Sequence, residues 1–212
     1  MRLNVLSELP EEWFGKIKEW QQLNESLRTP EVTDTNEEYF IYQSLLAGFP
    51  FEKEAEKEFI PRVKEYLQKA LREAKLHTNW SEPDEAHESS VLEFVEALFE
   101  QKDFLSSFRE FQNKIAYYGA LKSLGQILIK ITAPGIPDIY QGTEYWDLSF
   151  VDPDNRRPVN FANRISYLPG IKNNDNNDLN HILRKIKDSY QNGNIKLFLL
   201  YKALELRRSN EE

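Results

Sequence analysis

The densest group of side chains that could do chemistry lies between residues 140 and 157. It combines carboxylates, amides, arginines and flat aromatic rings: Tyr140, Gln141, Glu144, Tyr145, Trp146, Asp147, Asp152, Asp154, Asn155, Arg156 and Arg157. Aromatic faces stack on the apolar side of a pyranose ring, while Asp, Asn and Arg bond its hydroxyls in pairs. The cluster therefore predicts a sugar-binding loop. A proline-rich loop whose aspartates cap helices and pair with arginines accounts for the same residues equally well.

A second candidate segment is Lys75-Leu76-His77-Thr78-Asn79-Trp80, between two predicted helices. His77 could carry protons, although a single histidine at a helix end more often completes a cap. His77, His87 and the nearby acids match no familiar zinc-ligand spacing, so no metal is expected. The sequence contains no phosphate-binding glycine loop and no G-x-S-x-G elbow, and no cofactor is expected.

Helices are the elements expected to position these residues. Thr35 followed by Glu38 has the pattern of a capping box, and the apolar run behind it ends at Gly48. The next helix is expected to span roughly 18 residues, because its apolar positions recur at spacings of three and four. Those positions are Phe59, Ile60, Val63, Tyr66, Leu67, Ala70, Leu71 and Ala74.

Further helices are predicted along the rest of the chain. Ser81 with Asp84, and Pro83 in the first turn, is expected to open one of them. A long helix then carries apolar residues from Phe104 to Leu128, and helical patterning returns at 179–190 and 195–208. Between 134 and 158 the composition shifts toward proline. Residues 136–141 there suggest a short buried strand leading into a polar loop, as in one βα unit of a barrel.

Composition excludes several classes of protein. Only 8 of 212 residues are glycine. This favours a mainly α fold, because β-sandwiches and β-barrels use glycine in their many turns. A net charge of −8 argues against a nucleic-acid partner. No apolar run approaches a membrane span and no leader pattern opens the chain, so no membrane association and a cytoplasmic location are expected. With no cysteine, disulfides and thiol catalysis are excluded.

Two motifs together resemble a known enzyme family. They are Ala133-Pro134-Gly135-Ile136-Pro137-Asp138-Ile139-Tyr140-Gln141-Gly142-Thr143-Glu144 and Asp152-Pro153-Asp154-Asn155-Arg156-Arg157-Pro158-Val159. With Leu71–Lys75, His77–Trp80 and Asn4–Glu8, they resemble the maltooligosyl trehalose synthases of the α-amylase superfamily. Asn160 and His87 depart from that family's usual residues, an acid and an aromatic. Neither departure disturbs the resemblance.

The resemblance implies a mainly α piece of a larger enzyme with a (β/α)8 barrel. Residues 1–130 would form a helical subdomain after barrel strand 7, 131–160 strand 8 with its loop, and 161–212 the closing helices, with at most two short strands. The parent would be an isomerase that converts the reducing-end α-1,4 bond of a maltooligosaccharide to an α,α-1,1 bond. Its partners would be that sugar, the rest of the barrel and a C-terminal β domain.

No catalytic carboxylate is carried over to this chain, because the family's three catalytic acids would lie upstream of it. The candidate substrate-binding residues are Lys75, His77, Trp80, Tyr140, Gln141, Glu144, Asp154, Asn155, Arg156 and Arg157. Two other interpretations stay open at this point: another glucan-active enzyme of the same superfamily, and a non-catalytic helical interaction module.

Overall fold

The chain folds almost entirely into α-helices. The computed structural model describes residues 1–29, 34–172, 184 and 187–210. The α-helices of this part of the chain are α1 (Arg2–Leu6), α2 (Pro10–Leu23), α3 (Thr35–Gly48), α4 (Glu56–Ala74), α5 (Glu85–Glu100), α6 (Lys102–Thr132), α7 (Phe161–Lys172) and α8 (Asn194–Ser209). Within the described residues there is no β-strand, which confirms the prediction of a mainly α protein.

Two compact units make up the chain. The first contains Met1–Gly119 and Leu148–Asn155, and the second contains Ala120–Asp147 and Arg156–Glu212. The boundary between them therefore falls inside α6. Among the helices of the described ranges, none is long and apolar enough to cross a membrane.

The core of the first unit is built around Trp20, which is completely buried. Its indole lies 5.3 Å from the ring of Tyr42, 5.6 Å from Phe104 and 5.5 Å from Phe108. The indole N–H donates to the Ser107 hydroxyl at 3.0 Å, so the polar edge of the ring is satisfied. Aromatic rings in tilted and edge-on contact add to the hydrophobic stabilisation that burial supplies. This cluster joins α2, α3 and α6.

Helix α4 shows why the sequence pattern predicted it well. Phe59, Val63, Leu67 and Leu71, spaced four apart, are all buried. Positions four apart lie on one face of an α-helix, so burial of this stripe fixes which side faces the core. The helix ends at Lys75, whose φ of 55° is left-handed and whose N–H donates to the Leu71 carbonyl.

Two predicted helix starts were wrong in detail. Asp34 is the N-cap of α3 and accepts from the backbone N–H of Asn36 at 2.8 Å, where the pattern pointed to Thr35. Helix α5 begins at Glu85, with Asp84 as N-cap accepting from the His87 N–H at 3.0 Å. Ser81 does not cap it, because the residues before Asp84 follow the loop from α4. A β-conformation Asp at the N-cap satisfies the same orphan donors as Ser or Thr.

The strand pattern at 136–141 is expected to give irregular backbone unless another strand pairs with it, and the backbone there is irregular, with Ile136 almost fully exposed. A single strand without a neighbour leaves its ladder hydrogen bonds unmade, which accounts for the irregular path. The later helix prediction over 195–208 is confirmed by α8. The one over 179–190 lies mostly outside the described residues.

The second unit is tied at the end of α6 by Arg207. This guanidinium donates to the carbonyls of Ile131 at 2.5 Å, Ala133 at 3.0 Å and Gly135. The last carbonyls of a helix have no partner within the helix, so a cation from α8 supplies both hydrogen bonds and favourable charge.

Phe150 anchors the segment 148–155 within the first unit. Its ring stacks on Tyr66, with centroids 4.4 Å apart and planes within 9°, and lies 6.0 Å from Phe59. Gly48 makes this possible, because a Cβ there would lie 2.6 Å from the Phe150 ring and 3.0 Å from Phe59. The absence of a side chain at Gly48 is therefore a packing requirement.

Gly48→Ala should destabilise the chain by about 1–3 kcal/mol, because the added methyl overpacks the Phe150 site. Gly15→Ala is the matched control, since Gly15 lies in α2 and nothing comes within 4 Å of its added Cβ. That control should stabilise by roughly 0.5–1 kcal/mol through helix propensity. Urea unfolding measures both, and equal shifts in the two variants would contradict the packing argument.

Candidate functional site

A single buried carboxylate, Glu88, holds the loop that follows α4. Its oxygens accept from Arg72 Nε at 2.8 Å, Arg72 Nη2 at 2.7 Å, Gln68 at 3.0 Å and the Thr78 hydroxyl at 2.6 Å. Thr78 in turn accepts from the Asp84 N–H at 2.9 Å. The Arg72 guanidinium is the main reason that the pKa of Glu88 falls to about 2. The network fixes the path of residues 75–84.

That loop presents three of the sequence-predicted residues at the surface of the first unit. Lys75 and His77 are exposed, and Trp80 is 57% exposed. The Trp80 ring lies under the Arg72 guanidinium, 5.1 Å from centroid to carbon, so one face of the indole is covered. An indole held flat in this way presents a rigid apolar surface of the kind on which a sugar ring stacks.

His77 and His87 meet beside the start of α3. His77 Nε2 lies 3.2 Å from Asp34 Oδ2, and His87 Nε2 lies 3.1 Å from Glu37 Oε1. The two imidazole rings are 4.7 Å apart. The His77 contact is the main reason that the pKa of Asp34 lies below its usual value. None of these contacts follows from sequence spacing.

A cavity of about 590 Å³ opens between α3 and α4 in the first unit. Aromatic rings of Tyr39, Phe40 and Tyr66 line it, together with polar groups of Glu37 and Lys69. Burial raises the pKa of the Tyr66 hydroxyl. Apolar walls with a few polar groups are typical of small-molecule sites. No sequence motif predicted this cavity, because its lining residues have the spacing of ordinary helix core.

The segment 148–155 is held by a paired carboxylate. Asp154 accepts from Arg62 Nε at 2.8 Å and Nη2 at 2.7 Å, and its Oδ2 also accepts from the Phe150 N–H at 2.8 Å. Both oxygens are thus used inside the first unit, which makes Asp154 a brace for the loop. Next to it, Asn155 Oδ1 is buried and has no hydrogen-bond partner among the described residues.

In the second unit, Glu144 is also held by an arginine. Arg164 Nε donates to Glu144 at 3.0 Å, and Arg164 Nη2 donates to the Gly142 carbonyl at 2.8 Å. Gly142 has a φ of +89°, which a side chain would strain. Tyr140 and Gln141, just before this turn, are exposed, as are Arg156 and Arg157 after it. Arg164 therefore fixes the turn, and its neighbours face outward.

Sequence reasoning missed Lys196, which lines a cavity of about 340 Å³ in the second unit. Its ammonium is buried and donates to the Tyr145 carbonyl at 2.8 Å. Burial lowers the pKa of Lys196 to about 8, although the negative charges of Asp147 and Glu144 act to raise it. Lysine on a helix is usually solvated, so composition and periodicity gave no signal for this residue.

Comparison with known proteins gives the same family by sequence and by structure. A Mycobacterium tuberculosis protein provisionally named as a maltooligosyl trehalose synthase is 32% identical over 171 residues, which is 81% of this chain and 21% of that protein. A crystal structure of maltooligosyl trehalose synthase aligns with 99% of this chain, with a TM-score of 0.86 and 38% sequence identity. The aligned part is 27% of the chain in that crystal structure. The resemblance to maltooligosyl trehalose synthase is confirmed.

Other solved maltooligosyl trehalose synthases extend the comparison. The Arthrobacter ramosus maltooligosyltrehalose synthase covers 98% of this chain with 30% identity and a TM-score of 0.79. No family model matches the sequence. The chain spans about a fifth of the length of the curated maltooligosyl trehalose synthases it matches. The predicted site residues fall in both units, with Lys75, His77, Trp80, Asp154 and Asn155 in the first and Tyr140, Gln141, Glu144, Arg156 and Arg157 in the second.

Glu88→Gln should lower the free energy of unfolding by roughly 2–3 kcal/mol at pH 7, because the Arg72 charge loses its partner. The pKa of Glu88 is lowered in the folded state, so the carboxylate stabilises above its unfolded pKa and this stabilisation fades as pH falls toward about 2. Urea unfolding at pH 7 and pH 3 should therefore show a smaller difference between variant and parent at pH 3.

Glu93→Gln is the control, since Glu93 is exposed on the same helix. It should change stability by less than about 0.5 kcal/mol at either pH. A Glu88 variant that matched this control at pH 7 would show that the network does not hold the loop.

Proposed function

We propose that this chain provides a wall and two loops of the active site of a maltooligosyl trehalose synthase. The observation that carries the proposal is the structural match over 99% of the chain at 38% identity. Residues 131–160 would correspond to barrel strand 8 with its loop, and 1–130 to the helical subdomain that follows barrel strand 7. The whole enzyme would act in the cytoplasm.

The reaction proposed for the whole enzyme is an intramolecular transglucosylation. It converts the reducing-end α-1,4 bond of a maltooligosaccharide to an α,α-1,1 bond with retention at the anomeric carbon. Retention fits a double displacement that uses two carboxyl groups about 5 Å apart and a covalent glycosyl-enzyme. The released glucose must stay and attack again, so water has to be excluded while it turns.

The residues of this chain divide into two proposed roles. Asp154 and Glu144 have arginine partners, Arg62 and Arg164, and would position their loops rather than touch the reacting atoms. Trp80 and Tyr140, each about half exposed, would contact the sugar. The pair of Asp154 with Arg62 is bidentate, and such a pair fixes geometry well, which is what a loop facing a closed site needs.

The chain by itself should be catalytically inactive. The family's catalytic acids would lie on other strands, and one loop cannot present two carboxylates across a glycosidic bond. Purified chain incubated with maltopentaose should give neither loss of reducing ends nor free glucose above a no-protein blank. Turnover that disappears in Glu144→Gln would instead place a catalytic acid within these 212 residues.

In an enzyme that contains this segment, Arg156→Ala should lower kcat/KM about ten- to a hundredfold. The variant would lose one charged hydrogen bond to the sugar or to a loop partner, which is worth roughly 1.5–3 kcal/mol. Trp80→Ala should raise KM through lost stacking. Lys57→Ala, on the exposed face of α4, should leave both constants unchanged. Steady-state kinetics with maltopentaose measure all three, and indistinguishable variants would favour a loop that only packs.

A further inference from the structure

Four metal-ligating side chains converge where α3, α5 and the loop after α4 meet in the first unit. One carboxylate oxygen of Asp34, one of Glu37 and a ring nitrogen of His77 all lie within 4.8 Å of one another. His87 adds a hydrogen-bonded contact of 3.1 Å to Glu37 Oε1. These residues are up to 53 positions apart in the chain, so only the fold brings them together.

Glu37 provides a second, independent observation. Its side chain is 8% exposed, and its Oε2 atom is buried with no hydrogen-bond partner among the described residues. A carboxylate oxygen left without a partner in the protein interior costs free energy, and such atoms are rare in folded proteins. The unpaired oxygen belongs to the residue whose carboxylate lies within 4.8 Å of the Asp34 and His77 ligand atoms, so that carboxylate has a ligand position to spare for a cation.

We propose that Asp34, Glu37 and His77 bind one divalent transition metal ion of the zinc class, with His87 positioning Glu37. The site includes His77, which is also a candidate substrate-binding residue, but the argument for it and its test do not depend on the sugar chemistry proposed above.

The ligand set selects this class of ion. An imidazole nitrogen with carboxylate oxygens suits Zn²⁺ and its neighbours, whereas Mg²⁺ and Ca²⁺ prefer oxygen ligands alone. Zinc–ligand bonds of about 2.0–2.2 Å place tetrahedral ligand atoms about 3.3–3.6 Å apart. His77 Nε2 and Asp34 Oδ2 are 3.2 Å apart, close to that spacing. The Glu37 oxygen lies within 4.8 Å of both atoms, and a bound ion would have to draw it closer.

The surroundings provide entry, support and charge. The His77 side chain is 44% exposed and that of Asp34 is 30% exposed, so an ion can reach the site from solvent. His87 holds Glu37 as an outer partner of the kind that orients metal ligands. The Asn36 N–H at the start of α3 donates to Asp34, whose ionised carboxylate is the form that binds metal. With protonated histidines, two plain ion pairs explain the same contacts, and the experiment separates the two cases.

The chain suits a direct binding test, because it has no cysteine and three histidines. Untagged protein, stripped of metal with a chelator, is titrated with Zn²⁺ by calorimetry and with Co²⁺ by visible absorbance. We expect one ion per chain, a Kd in the micromolar range or tighter, and the intense d–d bands of low-coordinate Co²⁺. Excess Mg²⁺ should not compete.

Variants assign the ligands. His77→Ala and Glu37→Gln should each weaken Zn²⁺ binding by at least about a hundredfold, and His87→Ala by about ten- to a hundredfold as an outer partner. His181→Ala, which removes the remaining histidine, and Glu93→Gln should leave the affinity unchanged. Because Glu37 is buried, far-UV circular dichroism checks its variant, and the exposed His77 provides a substitution that should not disturb the fold.

Three results would overturn the proposal. They are the absence of saturable binding, binding that survives His77→Ala, and displacement of Zn²⁺ by equimolar Mg²⁺, each of which would leave His77 and Asp34 as a plain ion pair.

Discussion

The hydrogen bonds of the buried Glu88 carboxylate are the interaction on which the exposed loop 75–84 of the first unit depends. This one side chain of α5 accepts hydrogen bonds from Gln68 and Arg72 of α4 and from Thr78 of the following loop. Burying a charge is costly unless it is paired and hydrogen-bonded, and here a guanidinium and two neutral donors meet that condition. Since Thr78 is fixed, its neighbours His77 and Trp80 are held at the surface in one arrangement.

The same device recurs at the other two loops. Asp154 is paired with Arg62 in the first unit, and Glu144 is paired with Arg164 in the second. Each carboxylate belongs to a loop, and each arginine belongs to a helix. Carboxylates that look catalytic by type are therefore engaged in fixing these loops. This arrangement favours a surface built to be rigid before a ligand arrives.

Periodicity predicted the helices well because burial of one face leaves a regular trace in the sequence, as the stripe from Phe59 to Leu71 shows. The helix starts were less predictable, since Ser81 and Asp84 are both good caps and only the loop held by Thr78 decides between them. The segment 136–141 has no neighbouring strand among the described residues, so its strand-like pattern is not matched by strand structure. Contacts such as His77 with Asp34, or the burial of Lys196, join distant positions and leave no local pattern.

Arg2 ties the first helix to the end of α3. Its guanidinium donates to the carbonyls of Leu46 at 3.3 Å and Phe49 at 2.5 Å, at the C-terminal end of α3. Five-residue helices such as α1 do not persist alone, so this contact also secures the segment that carries it. Loss of the Arg2 side chain would uncap α3 next to the aromatic core. Local opening at the C-terminal end of α3 should therefore depend strongly on this one side chain, and amide hydrogen exchange there would report it.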